Sequence, residues 1–203
     1  MTIKTGLLAA AAAGVLSGCA SDDFKFDTLF SSKNAPATAP SMRWDFRPEA
    51  DAWTARTAFA LEAHGTNLVN TTPADIETWC PAYKTADAEG RKAFWAGLLS
   101  TLAKHESTWN PSAVGGGGKW FGLVQIAPAT ARQYGCEARS GEALKDGELN
   151  LSCAVRIMDV TVPRDGVVSA GMRGVAADWG PFHSATKRAD MMNWTRAQPY
   201  CAG

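Results

Sequence analysis

Glu106 is the residue of this chain most at odds with its neighbours. Counting back from it in steps of four, three and four reaches Leu102, Leu99 and Trp95, positions that a helix stacks on one face and fills with apolar side chains. A carboxyl group there is desolvated and lies near the negative end of the helix dipole, and both effects favour the neutral acid. An acid that keeps its proton near neutral pH can serve as a general acid. The plainer alternative is a solvated Glu at a frayed helix end. Other chemistries fail on spacing. His105-Glu106 opens like a zinc-protease helix, but residue 109 is Trp; Gly115 to Lys119 suggests a phosphate loop, but Ala113 stands where its first Gly belongs and Trp120 follows the Lys. His105 itself reads as a structural helix residue. His64, His105 and His183 are scattered and no Cys pair has CxxC spacing, so neither a metal nor a cofactor is expected.

The surroundings of Glu106 decide between its two readings. Glu106-Ser107, Asn110-Pro111, Ala113-Val114, Gly122-Leu123-Val124-Gln125-Ile126 and Pro128-Ala129-Thr130-Ala131 follow one another in close order. Over about 30 residues they resemble the catalytic segment of the soluble lytic transglycosylases, in the lysozyme-like superfamily. The resemblance implies that Glu106 protonates the glycosidic oxygen between N-acetylmuramic acid and N-acetylglucosamine of peptidoglycan. It would then take a proton from the muramyl C6 hydroxyl, leaving a 1,6-anhydro ring, so one carboxyl suffices where ordinary glycosidases use two. Gln125 would line the cleft and bond sugar. Ser107 either supports the acid, as the family's Ser does, or is an exposed hydroxyl at a helix end.

Three positions depart from the family pattern. The loop Gly115 to Phe121 is longer and richer in glycine, and Val124 replaces the usual Met, a change of packing more than of chemistry. The family's later Ala-Tyr-Asn-Ala-Gly segment has as its counterpart Ala176-Ala177-Asp178-Trp179-Gly180-Pro181. Asp178 or Trp179 would take the place of its Tyr, and Asp178 as a second carboxylate would revive hydrolysis by water. A hydrolytic muramidase, or a non-catalytic wall-binding lipoprotein, is therefore the competing expectation. Trp109, Trp120 and Trp179 are candidate platforms for sugar rings, while Trp53, Trp95 and Trp194 read as core.

The elements that must hold these residues are mostly helical. The patterns predict helices over Pro48 to Ala63, from the cap at Thr72 to Asp75, and over Arg91 to Glu106. Others are expected over Pro128 to Tyr134, Glu148 to Val160, Val167 to Asp178 and Ser184 to Trp194. Trp120 to Ile126 is a short strand or extended turn. The fold class is thus mainly α, of the α+β lysozyme-like kind, with a small β or loop element beside the cleft.

The N-terminus reads as an address. Lys4, the apolar run Leu7 to Leu16 and Leu16-Ser17-Gly18-Cys19 resemble a bacterial lipoprotein signal, which divides the chain into signal 1–18, lipidated Cys19 with a tether to 41, and one domain over 42–203. For a Gram-negative source, Ala20 after the Cys points to the outer membrane facing the periplasm, with the membrane held only through lipid. Cys80, Cys136, Cys153 and Cys201 are then an even set for an oxidising compartment; Cys136 with Cys153 and Cys80 with Cys201 is the preferred pairing, the others staying open. The 203 residues carry 20 Lys+Arg against 20 Asp+Glu. That balance argues against a nucleic-acid partner and fits an enzyme that grips its polymer, the glycan strands of peptidoglycan, through neutral sugar rings; a monomer is expected.

Overall fold

The computed structural model describes residues 39–202; the predicted signal, Cys19 and most of the predicted tether lie outside them. Seven α-helices, several short 3-10 turns and one two-stranded hairpin make up these residues. In chain order they are α1 Ala50–Ala63, α2 Thr66–Asn70, α3 Ile76–Trp79, α4 Ala88–Ser107, β1 Val114–Gly115, β2 Trp120–Phe121, α5 Pro128–Gln133, α6 Gly147–Asp165 and α7 Ala185–Arg196.

The α4 helix is the axis of the molecule. Its predicted stripe Phe94, Trp95, Leu98, Leu99 and Leu102 is fully buried, but so are Ala93, Ala96, Gly97, Ser100 and Ala103 on its other faces. A helix apolar all round belongs in a core, and here small residues let neighbours close in on the faces away from the stripe. Gly97 is the tightest case, since a Cβ there would meet Tyr200 and Trp194. Asp87 caps the helix by accepting a hydrogen bond from the Gly90 amide at 2.8 Å. The α7 helix packs along α4, and α1 and α2 pack on both α4 and α6.

The predicted disulfide pairing is the observed one, Cys80–Cys201 and Cys136–Cys153. The first ties the C-terminus back beside α3, and the second joins the loop after α5 to α6.

Where a helix was expected over Val167 to Asp178 there are only 3-10 turns, at Ala170–Met172 and Gly174–Ala177. Gly171 and Gly174 adopt positive φ, which breaks helical continuity. Two acids then take the freed backbone donors: Asp75 accepts from the amides of Val168, Ser169 and Ala170 at 2.6 to 2.9 Å, and Asp165 accepts from Gly174 at 2.7 Å. Asp75 thereby spends its side chain on this distant segment, and the helix expected to start from a cap at Thr72 begins only at Ile76, without a side-chain cap. Trp53 and Trp95 are core as expected, whereas Trp194 is only half-buried.

Candidate active site

A cleft of about 390 Å³ opens along the C-terminal end of α4, lined by His105, Glu106, Trp120, Gln125, Asp178, Trp179, Gly180, Pro181 and Lys187. A second hollow continues past Trp120, Gln125, Asp178 and Trp179 toward Ala127, Thr130 and Ile157. The two make one groove, with the hairpin as one wall and the Asp178–Lys187 segment as the other.

Glu106 is half-buried in the last turn of α4. Burial pushes its carboxyl up to about 7, opposed by the nearby Lys187 ammonium. The helix does not fray beyond it. Thr108 and Trp109 both sit in the left-handed region, at φ 53° and 56°, a conformation that costs non-glycine residues energy and persists only when the surroundings enforce it. Here the amides of Thr108 and Trp109 donate to Lys104 and Ala103 carbonyls, the Trp109 indole N–H donates to Ser100 O at 2.9 Å, and Phe46 stacks edge-on at 4.9 Å. These contacts fix the exit from α4 and so the position of the acid. They also occupy Trp109, a candidate sugar platform, in the packing of the helix end. Ser107 donates its hydroxyl to Ala103 O at 3.2 Å, so its hydrogen is spent on its own helix and not on Glu106.

The opposite wall is set by the segment Phe121 to Ile126. Gly122, at φ 83°, lies where a Cβ would collide with Leu144 O and Asn150. Asn150, fully buried on α6, donates to Phe121 O and Leu144 O and accepts from the Val124 amide, each at 3.0 Å. Trp179 is also buried, 3% exposed, and its indole donates to Val124 O at 2.8 Å; it is a strut behind the cleft that presents little free face to a sugar. Gln125 has a positive φ of 51°, and its amide donates to Ala113 O and Gly122 O at 3.2 and 2.9 Å. With both amide hydrogens committed, only its oxygen is left to receive a bond from substrate. Of the four non-glycine residues with positive φ among those described, three lie within the motif segment: Gln125 is one of its residues, and Thr108 and Trp109 are the two positions between Ser107 and Asn110.

The Gly-rich loop folds over Trp120. A Cβ on Gly116 would strike the indole, and one on Gly115 would strike the Gln125 side chain, while Gly117 and Gly118 face open space. Trp120 remains 47% exposed and lines both parts of the groove, which suits it to stack on a sugar ring. Asp178 lines both parts too. Partial burial raises its carboxyl, against the pull of Arg164.

Two features of the cleft were not read from the sequence. His105 Nε2–H donates to Asp190 Oδ2 at 2.7 Å, and Asp190 also accepts a bidentate pair from Arg43 at 2.7 and 3.0 Å and a bond from the Lys104 ammonium at 3.1 Å. These partners hold the Asp190 carboxyl well below its usual range, and His105 is the structural residue expected, tied to α7. Lys187, in the first turn of α7, faces the same cleft as Glu106. Among the described residues no cluster of His, Cys, Asp and Glu is arranged to hold a metal, and no helix is long and apolar enough to cross a membrane.

Residues 85–166 match the family model described as the Transglycosylase SLT domain; Glu106, Gln125 and Asn150 fall inside that span, and Asp178, Trp179 and Lys187 beyond it. Wild-type DslA and two of its mutants, each with one glutamate replaced by glutamine, superpose on the chain with a TM-score of 0.74 at 28% identity, over 81% of this chain and 100% of theirs. No curated protein matches by sequence. The matched span, the helical architecture and the half-buried acid in its cleft agree: residues 85–166 are similar to the Transglycosylase SLT domain, whose family comprises lytic transglycosylases, lyases that act on peptidoglycan.

Proposed function

We propose that the protein cleaves the bond between N-acetylmuramic acid and N-acetylglucosamine without water, leaving 1,6-anhydro-muramyl ends. The observation that carries this reading is the half-buried Glu106, protonated up to about pH 7 and facing a groove with an exposed Trp120. Glu106 delivers its proton to the O4 oxygen of the leaving glucosamine as the C1–O4 bond breaks. The same carboxylate then takes the proton of the muramyl C6 hydroxyl while O6 bonds to C1. No water is consumed, and Glu106 ends as it began. Replacing it with Gln keeps the side-chain volume and removes the transferable proton. Glu106→Gln is expected to keep the fold and to bind sacculi, and to lose release of soluble muropeptides by about 10²- to 10⁴-fold. Release at the wild-type rate would overturn this assignment.

Asp178 supports a second reading. It lines the same groove as Glu106, and as a base for water it would make the enzyme a hydrolytic muramidase with reducing ends. Anhydro products unchanged in Asp178→Asn exclude that role, and loss of reducing ends in the variant establishes it. The N-terminal pattern supports attachment through a lipid on Cys19, with the domain acting as a monomer from the outer membrane on the periplasmic wall. Metabolic labelling with a fatty-acid probe, lost in Cys19→Ala, is the test of the anchor.

A further inference from the structure

Lys187 is the cation that the cleft leaves unspent. The charged and titratable groups on this wall are Arg43 from the N-terminal segment, Lys104, His105 and Glu106 from α4, and Lys187, Arg188 and Asp190 from α7, with Asp178 also lining the groove. Asp190 pairs with Arg43, Lys104 and His105, and Arg188 donates to Phe182 O at 2.6 Å. Lys187 makes no ion pair among the described residues, and its side chain is exposed to the groove. Neither structural nor catalytic economy explains it. A lysine in the first turn of a helix opposes the macrodipole, and a positive charge beside Glu106 favours loss of the proton that the acid must deliver.

A negative group on the substrate resolves both conflicts. We propose that Lys187 is a substrate-carboxylate subsite, which binds a carboxylate carried by the muramyl unit next to the scissile bond. Pairing Lys187 with that carboxylate cancels its field at Glu106, so the acid holds its proton most firmly when an acidic strand is bound. Two sources offer this chemistry: the muramyl lactyl carboxylate, free where the peptide has been removed, and the carboxylates of an intact peptide. The inference rests on the function proposed above, since both need glycan in this groove.

The test uses the full chain and four soluble strand preparations: peptide-bearing and peptide-stripped glycan, each with its carboxylates free or converted to neutral methyl amides. The wild type is expected to show a KM about 3- to 5-fold lower for the free acid than for the amide of at least one pair, the size of a solvent-exposed ion pair, and the gap should close in high salt. The pair that shows it names the source. Lys187→Met is expected to erase the discrimination, Lys187→Arg to keep most of it, and the basic limb of the kcat/KM profile to move to higher pH in Lys187→Met. Equal KM for acid and amide in both pairs overturns the proposal, as does an equal loss on all four strands in Lys187→Met. Affinities of the four strands for Glu106→Gln, which need no turnover, read the same discrimination separately from activity. If the wild type cleaves nothing, the proposed reaction fails while this comparison still decides the subsite, equal affinities ruling it out.

Discussion

Glu106 stood out in the sequence because a carboxyl on an apolar helical face breaks a local rule, and the ordered motif residues around it decided which of its two readings to prefer. The charged groups that α7 brings to α4 did not, because Lys187, which faces the cleft, and Asp190, which holds His105, belong to a helix far along the chain and meet α4 only through packing. Since burial raises the Glu106 carboxyl to about 7, the proton needed for catalysis is present below that pH; kcat/KM is expected to be level in mild acid and to fall as pH rises through about 7, read in a pH–rate profile. Asp190→Asn removes the one anion among Arg43, Lys104 and His105. With Asp190 about a third exposed, the expected loss is about 1–2 kcal/mol in denaturant unfolding at neutral pH. Because the folded-state carboxyl is held below its ordinary value of about 3.9, that stabilisation is complete above pH 4 and fades as the pH falls further. The gap between variant and wild type should therefore shrink in strong acid.

The two walls of the groove follow different rules. The motif from Gly122 to Ile126 could be matched to a family, but why it holds its shape could not be read: Asn150 lies on α6, and nothing in its neighbourhood marks it as the buried strut of another segment. Asn150→Leu strands the Val124 amide and two carbonyls in the interior, so it is expected to cost about 2–4 kcal/mol and to lower kcat as well, measured by unfolding and by muropeptide release. The Gly-rich loop was seen in the sequence as a departure without a reason. Its reason is unequal from one glycine to the next. Gly116→Ala forces a methyl into Trp120, whereas Gly118→Ala meets open space and only the strain of its φ of 91°. Activity is expected to fall on the order of tenfold or more in the first variant and much less in the second. The Val167 to Asp178 region misled because its apolar residues resemble a buried helix face, while Gly171 and Gly174 break the backbone locally at positive φ and Asp75 captures the freed amides from far along the chain.

At the level of the whole molecule, the even count of cysteines outside the predicted lipid site and the mainly helical class were both readable, because they depend on composition and periodicity and not on which segments meet. The two disulfides close loops of very different length, with sequence separations of 121 and 17. In the chain-entropy picture the first is expected to contribute about 4–5 kcal/mol and the second about 3 kcal/mol, so replacing Cys80 and Cys201 by Ala should lower the Tm more than replacing Cys136 and Cys153. The long bridge also anchors the C-terminal segment whose Tyr200 lies against Gly97 of α4. Its loss is therefore expected to loosen the helix that carries Glu106, and activity should decline at temperatures below unfolding. The groove itself joins residues from α4, the hairpin, the segment before α7 and α7, which is why no single stretch of sequence displayed it.

The central claim is that one carboxyl, Glu106, breaks the glycan strand by internal attack of a sugar hydroxyl. Digesting purified sacculi in water enriched in heavy oxygen and weighing the released muropeptides by mass spectrometry tests it most directly. The wild type is expected to form anhydro-muramyl ends that carry no heavy oxygen, and Glu106→Gln to form none. Reducing muramyl ends that carry heavy oxygen would contradict it and assign the reaction to water.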